Sequence, residues 1–153
     1  MSLAHNMYIR ILNSIYLQAA NVKEPTDAAD FLFYCQVFAE GIHGHHQAEE
    51  EHFFPQIEEY TGQKGLMAAN VAQHDAFEPG LLKFEEYVKE TKPEDFDGKK
   101  LLAIIDDFGA ILTQHLADEI DTLLALDKYG GDKLKKAWDF LDAQVLKHMG
   151  DMV

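Results

Sequence analysis

Four runs of this chain place apolar residues at alternating steps of three and four, and Pro or Gly separates each run from the next. That spacing keeps side chains on one face of an α-helix. The first stripe is His5, Tyr8, Leu12, Ile15 and Ala19, and the second is Phe31, Cys35, Phe38, Ile42, His45 and Glu49. The third is Met67, Val71, His74, Glu78 and Leu81, and the fourth is Leu101, Ile104, Phe108, Leu112, His115, Glu119 and Leu126. Breaks fall near Asn21–Thr26, Thr61–Gly65, Thr91–Gly98 and Tyr129–Gly131. Long amphipathic helices on short connections predict an all-α, up-down-up-down four-helix bundle over about residues 4–128. A fifth segment carries Leu134, Trp138, Leu141 and Val145 behind an Asp132 cap, and reads as an extra C-terminal helix over about residues 132–149, outside the bundle.

A length of 153 residues, 47% hydrophobic by count, fits a single domain with its own core. The excess of 27 acidic over 13 basic residues gives a formal charge of −14, which repels phosphate backbones and anionic membrane surfaces alike. Nucleic acid and membrane are therefore not expected as partners. No apolar stretch approaches the roughly 20 residues of a membrane helix. One cysteine, Cys35, cannot build an internal disulfide framework, and the start Met-Ser-Leu-Ala-His lacks a charged segment followed by an apolar run. The cytosol is the expected compartment.

Each stripe contains a histidine, and three of the four carry a glutamate four residues after it: His45/Glu49, His74/Glu78 and His115/Glu119. A step of four puts both side chains on one face a turn apart, where the pair can hold one metal or the carboxylate can bridge two. With 8 histidines and 27 acids in 153 residues, chance gives about one or two such pairs, against four found when His46/Glu50 is counted. Placement strengthens the count, because the pairs fall in phase with the apolar stripe, where an unpaired carboxylate is costly to bury. Metal coordination removes that cost. The metal-ligand set read this way is His5, His45, Glu49, His74, Glu78, His115 and Glu119.

In the run Ile42-His43-Gly44-His45-His46, the stripe favours His45 with Glu49. The alternative, His46 with Glu50, lies about 100° further round the helix. His43 and His52 read as rim residues, His52 with a possible supporting role near the site, and His148 as ordinary packing or exposure. Gly41 and Gly44 mark a close helix contact beside the site. Pro79 and Gly80 predict a kink after Glu78.

The run His45-His46-Gln47-Ala48-Glu49-Glu50-Glu51-His52-Phe53-Phe54-Pro55 resembles the HxxxEExxxxFP signature of the hemerythrin-like family, the HHE cation-binding domains. The resemblance extends from His5 to about Leu126. It implies a hemerythrin-like bundle holding two irons, with His5 and His45 as terminal ligands of one, His74 and His115 of the other, and Glu49 and Glu119 bridging them. Two departures stand out. Respiratory hemerythrins carry HxxxH on the third helix, where this chain has Glu78 in second place, and an aspartate five after the last histidine, where this chain has Glu119 four after. An additional anionic ligand favours ferric iron, which points away from reversible oxygen carriage.

Imidazole with carboxylate suits iron, with manganese or zinc as substitutes, whereas structural zinc closes at four ligands and usually includes thiolates. The first functional expectation is a protein that binds dioxygen, a related small ligand or iron itself, for sensing or storage. A di-iron enzyme reducing dioxygen or peroxide comes second, with Tyr8 and Tyr34 as its polar groups. An interaction module with a structural metal comes third.

Overall fold

A computed structural model of the protein describes residues 1–131, 135–139, 141 and 143. Helix α1 spans Ser2–Ala19 and α2 Pro25–Ala48, continuing through a π-helical turn over Glu49–Phe53 into α3, Phe54–Thr61. Helix α4 spans Ala68–Glu90 and α5 Gly98–Leu124, and the described residues contain no strand. The breaks lie where the punctuation places them. Pro25 opens α2 at a position whose N–H would be unpaired in any case. Gly62, at φ 70°, ends α3 in the left-handed conformation that glycine tolerates. Asp97 caps α5 by accepting hydrogen bonds from the Lys99 and Lys100 backbone N–H groups.

Helix α1 packs on α2 and α5, and α4 on α2 and α5, closing a ring of four. At one end of that ring the start of α1 (His5) meets the end of α2 (His45). There, too, the first third of α4 (His74) meets the last third of α5 (His115). At the other end, Tyr87 of α4 donates a hydrogen bond to the Asp97 carbonyl just before α5. Successive bundle helices therefore run in opposite directions, the up-down-up-down arrangement expected from the sequence. Gly80 permits a close crossing: a Cβ there would lie 2.5 Å from the Phe108 Cβ, so only a hydrogen lets α4 approach α5 this closely.

Two apolar clusters fill the interior. The larger runs along the bundle through Leu12, Phe38, Ile42, Phe84, Phe108 and Leu112. The smaller joins Phe53, Phe54, Ile57, Met67 and Leu126 to Ala137 and Leu141 of the C-terminal segment, where residues 135–139 are helical. Trp138 packs edge-on against Phe53, ring centroids 5.8 Å apart. Asp132, Leu134, Val145 and His148 lie outside the described residues. No described helix is long and apolar enough to cross a membrane.

Burial corrects two stripes. On α4 the inward positions are Asn70, His74, Phe77, Leu81, Phe84 and Val88, while Val71 is half-buried and Glu78 is exposed. At about 100° per residue, those inward residues centre on the Phe77 side of His74, and Glu78 falls on its other side, at the edge of the buried arc. On α5, Ile105 rather than Ile104 is the buried residue.

Candidate metal centre

At the end of the bundle where α1, α2, α4 and α5 converge, five histidines and two glutamates are buried together: His5, His45, His46, His74, His115, Glu49 and Glu119. Two groups of donors share one member. In the first, ligand atoms of His5, His45 and Glu49 all lie within 4.8 Å of one another. The second draws together His46, Glu49, His74 and His115 under the same limit. Glu49 stands between the groups, one oxygen 3.1 Å from His45 Nε2 and the other 3.7 Å from His74 Nε2. Glu119 reaches from α5 to within 3.2 Å of His5 Nε2.

Three of the imidazoles are oriented from behind. The Nδ1–H of His5 donates to the Leu116 carbonyl at 2.7 Å, that of His74 to the Glu50 carboxylate at 2.6 Å, and that of His115 to the Gln73 side-chain oxygen at 3.1 Å. Gln73 is itself anchored by donating to Asp118 at 3.0 Å. Carbonyl and carboxylate oxygens only accept, so in each neutral ring Nδ1 carries the proton and Nε2 presents its lone pair. Two of those lone pairs face each other, Nε2 of His74 lying 3.0 Å from Nε2 of His115, and Nε2 of His5 lies 3.1 Å from Nε2 of His45. Two lone pairs at that distance repel unless a proton or a cation lies between them.

Electrostatics point the same way. Burial, then the neighbouring His5, lowers the His45 pKa to about 3. Burial, then His74, lowers that of His115 to about 3, and both effects hold His46 well below the usual imidazole range. Neutral imidazole is the form that binds a metal. Burial and the facing Glu119 carboxylate raise the Glu49 pKa well above the carboxylate range. Both ring nitrogens of His46 and all four carboxylate oxygens of Glu49 and Glu119 are buried without a hydrogen-bonding partner. Groups of this kind are normally satisfied, and cations among them would take up the carboxylate oxygens and the one His46 nitrogen that faces them.

Of the residues read from the sequence as ligands, the structure brings together His5, His45, Glu49, His74, His115 and Glu119. Glu78 does not join them: it is exposed at the rim, and Phe77 takes the inward place, its ring 4.9 Å from that of His46. The choice between His45 and His46 is resolved by both being present. The centre of the buried face of α2 runs through Ile42 and Glu49, about 40–60° round from His45, so His45 and His46 flank it on either side. His46 pairs with Glu49 rather than Glu50, which hydrogen-bonds His74 instead. Phe77 and Phe54 wall the second group, Phe54 stacking on the His74 ring at 5.8 Å.

The π turn explains how Glu49 and Pro55 coexist on one helix. Proline has no N–H to give and clashes with the carbonyl four residues earlier, and the wider turn over Glu49–Phe53 relieves both. Tyr8 lies beside the first group, its ring 5.4 Å from that of His45 and its hydroxyl donating to the Gly41 carbonyl. Burial, then the Glu49 charge, raises its pKa to about 12. Gly41 lies against Tyr8 as a neighbour of the site, but a Cβ there would sit at an ordinary 3.4 Å from the Tyr8 ring, so the approach does not require glycine. Tyr34, more than a third exposed, faces away. His43 is half-exposed, 3.8 Å from Glu85, and His52 is part-buried within the π turn.

Residues 1–126 match the family model of the hemerythrin HHE cation-binding domain. The chain is also 44% identical over 134 residues to a protein of Cryptosporiopsis sp. (strain 8999), the dimeric xanthone biosynthesis cluster protein R11. That alignment covers 88% of this chain and 51% of the relative, so the chain spans about half the relative's length. No solved structure matches it. With the cluster in place at the converging helix ends and the model matched from residue 1 to residue 126, this chain belongs to the hemerythrin HHE cation-binding family.

Proposed function

We propose that the cluster holds two iron ions and that the protein binds dioxygen or a related small ligand there. The observation that carries this reading is Glu49, shared by two separate donor groups, with one oxygen 3.1 Å from His45 of the first and the other 3.7 Å from His74 of the second. His5, His45 and Glu49 form a two-histidine, one-carboxylate set, the combination that suits non-haem ferrous iron with positions left open. His46, His74 and His115 would hold the second ion, with Glu119, 3.2 Å from His5, a further carboxylate available to the first. An iron pair in such a site supplies reversible one-electron redox chemistry and open positions for a small ligand. The chain contributes the rest: Nε2 lone pairs aimed inward, apolar walls of Phe54 and Phe77, and a buried surround that keeps His45, His46 and His115 neutral.

A second reading, a di-iron oxidoreductase acting on dioxygen, draws support from the relative's place in a biosynthesis cluster. Tyr8 is the phenol nearest the centre, but its hydroxyl is already committed to Gly41. An interaction module around Trp138 has less support, since that side chain packs on Phe53. The test is iron analysis of protein from iron-supplemented cells, with ultraviolet-visible spectra before and after reduction and re-exposure to air. Two irons per chain and a charge-transfer band that disappears on reduction and returns in air are expected. One iron or none would refute the reading.

A further inference from the structure

Between α2 and α4 a cavity of about 270 Å³ opens at the surface and ends on His46 and His74. Its lining includes Glu50, Glu51, Asp75 and Glu78, and no lysine or arginine. An acidic mouth on a chain of charge −14 is unremarkable alone. What lies at its inner end is not: His46 is 94% buried, lines the cavity, and has neither ring nitrogen hydrogen-bonded. Carboxylates at the surface therefore lead to an unpartnered imidazole, with Glu50 spanning the distance. Its side chain is 42% exposed at one end of the route, while its Oε1 accepts from His74 at 2.6 Å.

We propose that this mouth is the route by which a divalent cation reaches the buried centre, and that His46 is the first interior ligand to receive it. The inference rests on the metal-binding reading above and adds a path and a direction to it. Glu51, Asp75 and Glu78 concentrate the cation at the opening, as a cleft lined by one sign of charge does. Glu50 carries it inward beside His74. This gives Glu78 a physical role at the place the fold puts it: a neighbour of the centre that acts on the rate of filling and not on the filled state.

The test uses the whole chain, stripped of metal and mixed anaerobically with ferrous iron at low ionic strength. Excess chelator stops the reaction at set times, and retained iron is counted. The triple variant Glu51→Gln, Asp75→Asn, Glu78→Gln changes only exposed side chains, so helix content and final iron content should match the parent. Its uptake should be slower by about tenfold or more, with the difference shrinking as salt is added. A matched control, Glu86→Gln, Glu90→Gln, Asp95→Asn, neutralises as many charges around a different surface cavity and should load at the parent rate. Charge reversal by Glu78→Lys should slow loading further than Glu78→Gln. Equal rates in parent and triple variant, or equal slowing in the control, would overturn the route while leaving the iron reading intact. A parent that retains no iron would overturn both.

Discussion

The rings of His46 and His74 lie 4.4 Å apart, centroid to centroid, although His46 comes one residue after the histidine that keeps step with Phe38 and Ile42. The resemblance expects a second imidazole on the helix that carries His74. This chain presents it from α2 instead, and Glu78 is left at the rim. Replacing His46 with Gln should therefore lower iron content from two per chain towards one, with helix content preserved. His43→Gln, changed at a half-exposed neighbour, should leave both irons bound. Equal iron in the His46→Gln protein and the parent would remove His46 from the ligand set.

Glu50 and Glu78 face one mouth but touch the centre differently. Glu50 accepts the Nδ1–H of His74, and loss of such an orienting partner typically weakens metal binding about 10–100-fold. Glu50→Gln should show that loss in a competition titration against a chelator. Glu78→Gln should leave equilibrium affinity and redox potential at the parent values, with stability changed by less than about 0.5 kcal/mol. A shift in potential on changing Glu78 would return it to the ligand set.

Acid should act on the metal-free protein through its histidines. His45 and His115 titrate near 3 in the fold and near 6.5 when unfolded, so the unfolded chain holds more protons between those values. Their contribution to stability is complete above about pH 6.5 and is lost as pH falls towards 3. Glu49, its pKa raised, acts oppositely: the fold holds the extra proton, and stability is lost as pH rises above the unfolded carboxylate value. Thermal melts in chelator from pH 7 to pH 4 should show a shallower acid decline in His115→Gln than in the parent. Identical slopes would contradict the burial effect. The metal-loaded protein should hold its stability to a lower pH, until protons compete for the ligands.

Helix spacing is tested at Gly80. Adding a methyl group forces α4 from Phe108 and should lower stability by about 1–3 kcal/mol, read as a drop in Tm. A Gly80→Ala protein as stable as the parent would contradict so close a crossing of α4 and α5.

The helices, their breaks and six of the buried donors were legible because a step of three or four on an apolar stripe leaves few other ways to fold. Three features were not. A stripe read at steps of four admits residues about 40° on either side of its line, and on α4 the inward arc centres on the other side, so Phe77 enters and Glu78 does not. On α2 the buried face is wide enough for two adjacent histidines, and only its packing against both α1 and α4 reveals that each side has a use. The signal was present in the sequence: Ala39, Leu32 and Ala28 continue the apolar face on the His46 side. The π turn left no periodic mark beyond Pro55 itself.

The central claim is a pair of irons held by two donor groups that share Glu49, and iron-edge X-ray absorption on the loaded protein tests it most directly. A metal–metal scattering path near about 3.5 Å, with light-atom ligands fitting imidazole and carboxylate and two irons per chain, is the result this account predicts. A single iron per chain, or two with no metal–metal path at that distance, would contradict it.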